Sequence, residues 1–141
     1  MKTFSTAIDI QAPAERVWAV MRDVTRWHEW TPTITSVTLE HGGALGVGAR
    51  ARIRQPKLPP ASWDVTAIDE GVSFTWVSRG PGILVTARHA VAPVPGGCRV
   101  TLSLTFTGPL GPAFGWMTRG INNRYLGLEA AGLKARCEAV S

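Results

Sequence analysis

Six times between Ile34 and Phe106 the chain runs through a short alternation of apolar and polar residues and then meets a turn signal. This pattern constrains the fold more than any other. Successive side chains on a strand point to opposite faces, so alternation marks strands with one buried and one wet face. The segments are Ile34–Leu39, Ala49–Gln55, Ser62–Ile68, Val72–Ser78, Ile83–Ala92 and Arg99–Phe106. Between them lie His41-Gly42-Gly43, Pro56 with the Pro59-Pro60 pair, Glu70-Gly71, Gly80-Pro81-Gly82 and the turn at 93–97. Consecutive strands joined by short turns predict an antiparallel meander. Parity assigns the faces. Val100, Leu102, Leu104 and Phe106 point inward, as do Val85, Ala87, His89 and Val91, Phe74 and Trp76 with Ser78, Trp63 and Val65, and Ala51, Ile53 and Gln55. Arg50, Arg52 and Arg54 point outward.

Thr3–Ile10 adds a first strand. Pro13 suits a helix start, where its missing N–H costs nothing. Val17, Val20, Met21 and Val24 then follow helical spacing, and the helix stops near Asp23. A Trp-rich connector, Thr25–Pro32, follows. From about Pro112 to Ala139 the pattern is helical, about 40 Å long at roughly 1.5 Å per residue. Its apolar stripe is Phe114, Met117, Ile121, Tyr125, Leu128, Gly132 and Ala135, with Leu126 and Leu133 on a second line. Residues 1–141 therefore read as one α+β domain. A curved seven-stranded antiparallel sheet wraps around a long C-terminal helix, with two short helices after the first strand.

Fifteen Lys and Arg against ten Asp and Glu give a net charge of +5. The basic residues are scattered, so no nucleic-acid partner is expected. The two cysteines, Cys98 and Cys137, match no zinc or redox spacing, and three distant histidines make no ligand set. No metal or cofactor is expected. The N-terminus lacks the apolar core of a signal peptide, and no apolar stretch is long enough to span a bilayer. The expected location is the cytoplasm, as a monomer or homodimer.

A curved sheet with one helix across its mouth leaves a gap, which is either plugged by large side chains or left open for a ligand. The inward positions mix tryptophan with Ala, Gly and Ser, a lining that suits an apolar pocket with a few polar anchors. The alternative is a core filled by the six tryptophans. For a pocket, the expected ligand-binding residues on the sheet side are Trp30, Gln55, Trp63, Phe74, Trp76, Val85, His89, Leu102 and Leu104. On the helix they are Met117, Ile121, Tyr125 and Leu128. His89 and Tyr125 are the candidate catalytic pair, since imidazole and phenol can move protons. The alternatives are a core histidine bonded to backbone and a buried tyrosine with a structural partner. The loops Pro56–Pro60 and Gly42–Gly48 are expected to flank the entrance.

The order of elements resembles the helix-grip fold of the START and birch-pollen-allergen superfamily (SRPBCC), in its polyketide cyclase/dehydrase-like branch. The residues carrying the likeness are Ile10-Gln11-Ala12-Pro13-Ala14-Glu15-Arg16-Val17-Trp18, Trp27-His28-Glu29-Trp30-Thr31-Pro32, Gly97-Cys98-Arg99-Val100-Thr101 and Leu133-Lys134. The resemblance implies binding of a small hydrophobic molecule (lipid-, aromatic- or polyketide-like) between sheet and final helix. It leaves open a cofactor-free cyclase or dehydratase using His89 and Tyr125, with Gln55 orienting the substrate. It also leaves open an interaction module related to heat-shock ATPase activators. Cyclases of the group use a pocket arginine, a role that the outward Arg50, Arg52 and Arg54 do not fill.

Overall fold

The computed structural model describes residues 1–139, apart from the side chain of His41. The expectation that His41 lies at the surface falls outside the described residues. The elements run β1 (Lys2–Ile10), α1 (Ala14–Arg22), a 3-10 turn (Val24–Glu29), β2 (Ser36–Leu39), β3 (Arg50–Arg54) and β4 (Ala61–Asp69). They continue through β5 (Ser73–Gly80), β6 (Ile83–Val94), β7 (Gly97–Thr107), α2 (Gly111–Met117) and α3 (Arg119–Glu138). The seven strands form one antiparallel sheet in the order β1-β7-β6-β5-β4-β3-β2. Strands β2 to β7 are the expected meander. Helix α1 and the Trp-rich turn carry the chain from β1 at one edge to β2 at the other. A register shift between Val65 and Ala67 marks a bulge in β4, a device that bends a strand.

The pairing turns the parity of single strands into rows across the sheet. One inward row runs Val65, Trp76, Ala87, Leu104, Phe4, and the next runs Phe74, His89, Leu102. The first row places the small Ala87 between Trp76 and Leu104. Arg50, Arg52 and Arg54 are exposed on the other face, where Arg50 pairs with Asp64 at 2.7 Å. Such surface pairs contribute little individually.

The C-terminal helix departs from expectation in two ways. Thr118 interrupts it, because its hydroxyl donates to the Phe114 carbonyl at 2.8 Å, a competing bond that distorts helices. The uninterrupted part, α3, has 20 residues and is about 30 Å long. Its buried line is Leu126, Ala130, Leu133 and Cys137, not the stripe expected from the bulkier residues. Small residues win here because α3 packs directly on β1, β7 and α1. At Gly132 a Cβ would sit 2.1 Å from the Trp30 carbonyl oxygen, so only glycine permits the approach. Met117, at 73% exposure, points to solvent. With Leu110, Phe114 and Trp116 it forms an outward apolar set on and beside α2 that the sequence pattern did not reveal.

Candidate functional site: a cavity between sheet and helix

Because α3 is held against β1 and β7, it parts from the sheet on the side of β3, β4 and β5. A cavity of about 380 Å³ lies there. Its wall is made by the inward rows of the sheet, the turn residue Trp27, and one face of α3: Ile121, Asn122, Tyr125, Leu126 and Glu129. Its exposed lining residues, which mark the mouth, are Leu58 and Pro59 of the β3–β4 loop, Arg79 and Gly80 at the end of β5, and Phe114 of α2. The loop at Pro56–Pro60 therefore flanks the cavity as expected. The Gly42–Gly48 loop contributes no lining residue; its Leu45 is buried and its Gly48 N–H is bonded to Val65.

Of the residues expected around a ligand, Gln55, Trp63, Trp76, Val85, His89, Leu102, Leu104, Ile121 and Tyr125 border this cavity. Four do not, and each has a local reason. Phe74 lies fully buried behind His89, stacked on its ring at 4.3 Å between centroids. Trp30 packs against Trp27 at 5.7 Å and lines a separate cleft with Val20 and Arg136. Met117 turns outward with α2, and Leu128 lies off the α3 face that borders the cavity. Trp27 donates from Nε1 to the Met21 carbonyl of α1 at 2.9 Å, and it borders the cavity as well.

The aromatic wall is continuous. Trp76 is 5.4 Å from Trp27 and 6.0 Å from Trp63 between ring centroids, and His89 is 5.2 Å from Trp27. His89 is 6% exposed, and its Nδ1 has no hydrogen-bond partner. Burial pushes its pKa down to about 3, opposed by a weaker backbone hydrogen bond at Phe74, so the imidazole is neutral at physiological pH. Tyr125 stands nearer the mouth, its hydroxyl donating to the Pro56 carbonyl and tying α3 to the β3–β4 loop. Asn122 also borders the cavity and donates to Thr118 Oγ1 at 2.9 Å.

Sequence reasoning missed Glu129. It borders the cavity one helical turn beyond Tyr125, and burial pushes its pKa up to about 7. The signal was present: Glu129 sits between Leu126 and Leu133 at helical spacing, an acid on the apolar line. Among the described residues no three His, Cys, Asp or Glu side chains cluster as metal ligands do, and no helix is long and apolar enough to cross a membrane.

Three solved structures show how common this architecture is. A START superfamily protein from Mycobacterium smegmatis superposes with a TM-score of 0.75 at 16% identity, covering 96% of this chain and 97% of that one. The Zhui aromatase/cyclase from a Streptomyces species gives 0.77 at 14%, covering 97% and 93%. The protein XoxI from Bacillus cereus gives 0.78 at 15%, covering 97% and 96%. At these identities the likeness is one of fold. No curated protein matches the sequence. A family model described as polyketide cyclase / dehydrase and lipid transport matches residues 1–138, and the chain belongs to that family.

Proposed function

We propose that this protein binds a small hydrophobic molecule, of lipid, aromatic or polyketide type, in the cavity between the sheet and α3, in the cytoplasm. The cavity itself carries the reading. About 380 Å³ of space bordered mainly by apolar side chains is what an apolar ligand of moderate size needs. A plugged interior, as the interaction-module reading requires, would leave no such space, although the outward apolar residues at α2 are a surface such a module could use. The test is native mass spectrometry of protein purified from its own host, with hydrophobic fluorophores titrated into wild type and Ala87→Phe. Ala87 is the small residue of the floor, so a phenyl group there fills the cavity from below. The expected result is a bound apolar species and a loss of about tenfold or more in fluorophore affinity in the variant. Equal fluorophore binding by a folded Ala87→Phe would place the ligand elsewhere.

A second reading, a cofactor-free cyclase or dehydratase, is favoured by one observation: His89, Tyr125 and Gln55 all border the same cavity. In it the neutral His89 takes a proton, Tyr125 gives one and Gln55 orients a carbonyl. Turnover of a poly-β-ketone mimic should fall at least about tenfold in His89→Ala; equal rates in the two proteins remove His89 from the chemistry.

A further inference from the structure

Among the described residues Glu129 is the one acidic side chain on the cavity wall. Among the described residues no hydrogen bond, ion pair or neighbouring charge acts on its carboxyl group; burial alone does. Among the described residues Arg79 is the only Lys or Arg that borders the cavity. It sits exposed near the end of β5, where its charge acts on Asp64 across the strands. A half-buried carboxylate facing an apolar space without a partner is costly, and a purely structural position on an apolar helix line would be served better by Leu or Gln. The rest of the wall has a matching character. Trp27, Trp76 and Trp63 form an unbroken aromatic arc, and indole faces attract cations through the ring quadrupole. A single acid and an aromatic arc around one apolar space make a site for a cation with a hydrophobic body.

We propose that the cavity selects ligands carrying a protonated amine on an apolar, preferably aromatic, body, with the ammonium paired to Glu129 and the body laid against the tryptophan arc. This rests on the ligand-binding reading above and narrows it to a chemical class. The neutral part of such a ligand supplies burial, and the charged pair supplies selectivity between head groups of equal size.

The experiment uses three probes that share one ring system: 2-(2-naphthyl)ethylamine, 2-(2-naphthyl)ethanol and 3-(2-naphthyl)propionate. Each is titrated at pH 8 into the full chain, with tryptophan fluorescence and calorimetry as readouts. Wild type should bind the amine about tenfold or more tighter than the alcohol, with the carboxylate weakest. Glu129→Gln, which keeps the shape and removes the charge, should bind the alcohol as wild type does and lose the preference for the amine. Circular dichroism checks that the variant is folded. An alcohol bound as tightly as the amine by wild type overturns the amine class and leaves hydrophobic binding standing. A preference that survives in Glu129→Gln overturns the role of Glu129. Failure of all three probes, together with failure of the hydrophobic fluorophores, overturns the binding reading itself and this inference with it.

Discussion

Two ionisable side chains on the cavity wall, the buried His89 and the half-buried Glu129, are shifted by desolvation, and they act on stability with opposite signs. Glu129 titrates at about 7 in the folded chain against an ordinary 4.5. The fold therefore holds a proton there that the unfolded chain gives up, and this contribution is complete below pH 4.5 and lost as the pH rises to 7. His89 titrates at about 3 against an ordinary 6.5. Its contribution is complete above pH 6.5 and lost as the pH falls toward 3. The other ionisable groups bordering the cavity are Arg79 and Tyr125. A comparison of wild type with Glu129→Gln isolates the first effect, because His89 is common to both. Urea unfolding should show the variant more stable at pH 8, by on the order of 2 kcal/mol, with the gap closing toward pH 4.5. A gap that stays constant with pH would mean that Glu129 is solvated in the folded chain. The acid was legible as a misfit on an apolar line. That its carboxyl borders a cavity was not, because a helical pattern gives spacing but not which neighbour each face meets.

At the scale of elements, α3 is positioned by what it lacks. Gly132 and Gly127 are both helix-interior glycines, yet their surroundings differ. A Cβ at Gly132 collides with the Trp30 backbone, whereas one at Gly127 meets nothing within 4 Å. Gly132→Ala should therefore destabilise the fold by about 2 kcal/mol or more, since the obstruction is backbone that must move. Gly127→Ala should stabilise it by up to about 1 kcal/mol through helix propensity. Thermal denaturation of the two variants side by side decides this, and equal effects would show that the α3–connector approach is not tight. The same contact is reinforced at the surface by Arg136 donating to Glu29 at 2.6 Å. Arg26 first, and Arg136 second, hold that carboxyl down to about 2. The strands needed no such help to be read. Their alternation fixed both limits and faces to within a residue or two, since a one-residue slip would turn every buried side chain outward. The helix face was harder. Tyr125 and Ile121 are the bulky residues, but they face the cavity, while the small Ala130 and Cys137 face the sheet.

For the whole molecule, the cavity is a consequence of asymmetry. The helix is fastened at one side of the sheet, by β1, β7 and α1, and the sheet bends away from it on the other. Large side chains do not close the gap, because three of the six tryptophans lie along its wall and Ala87 leaves its floor low. The sequence alone determined the strand count, the antiparallel order of the meander, which sheet residues point inward, and the kinship with helix-grip proteins. The first three follow from period-two alternation and turn chemistry, which are local, and the kinship follows from a family resemblance. Only the tertiary structure decided that β1 closes on β7, that α3 breaks at Thr118 and buries its small residues, that Phe74 and Trp30 stand apart from the cavity, and that Glu129 borders it. Each depends on how distant segments approach one another. That approach is settled by packing between surfaces, which no stretch of sequence encodes by itself.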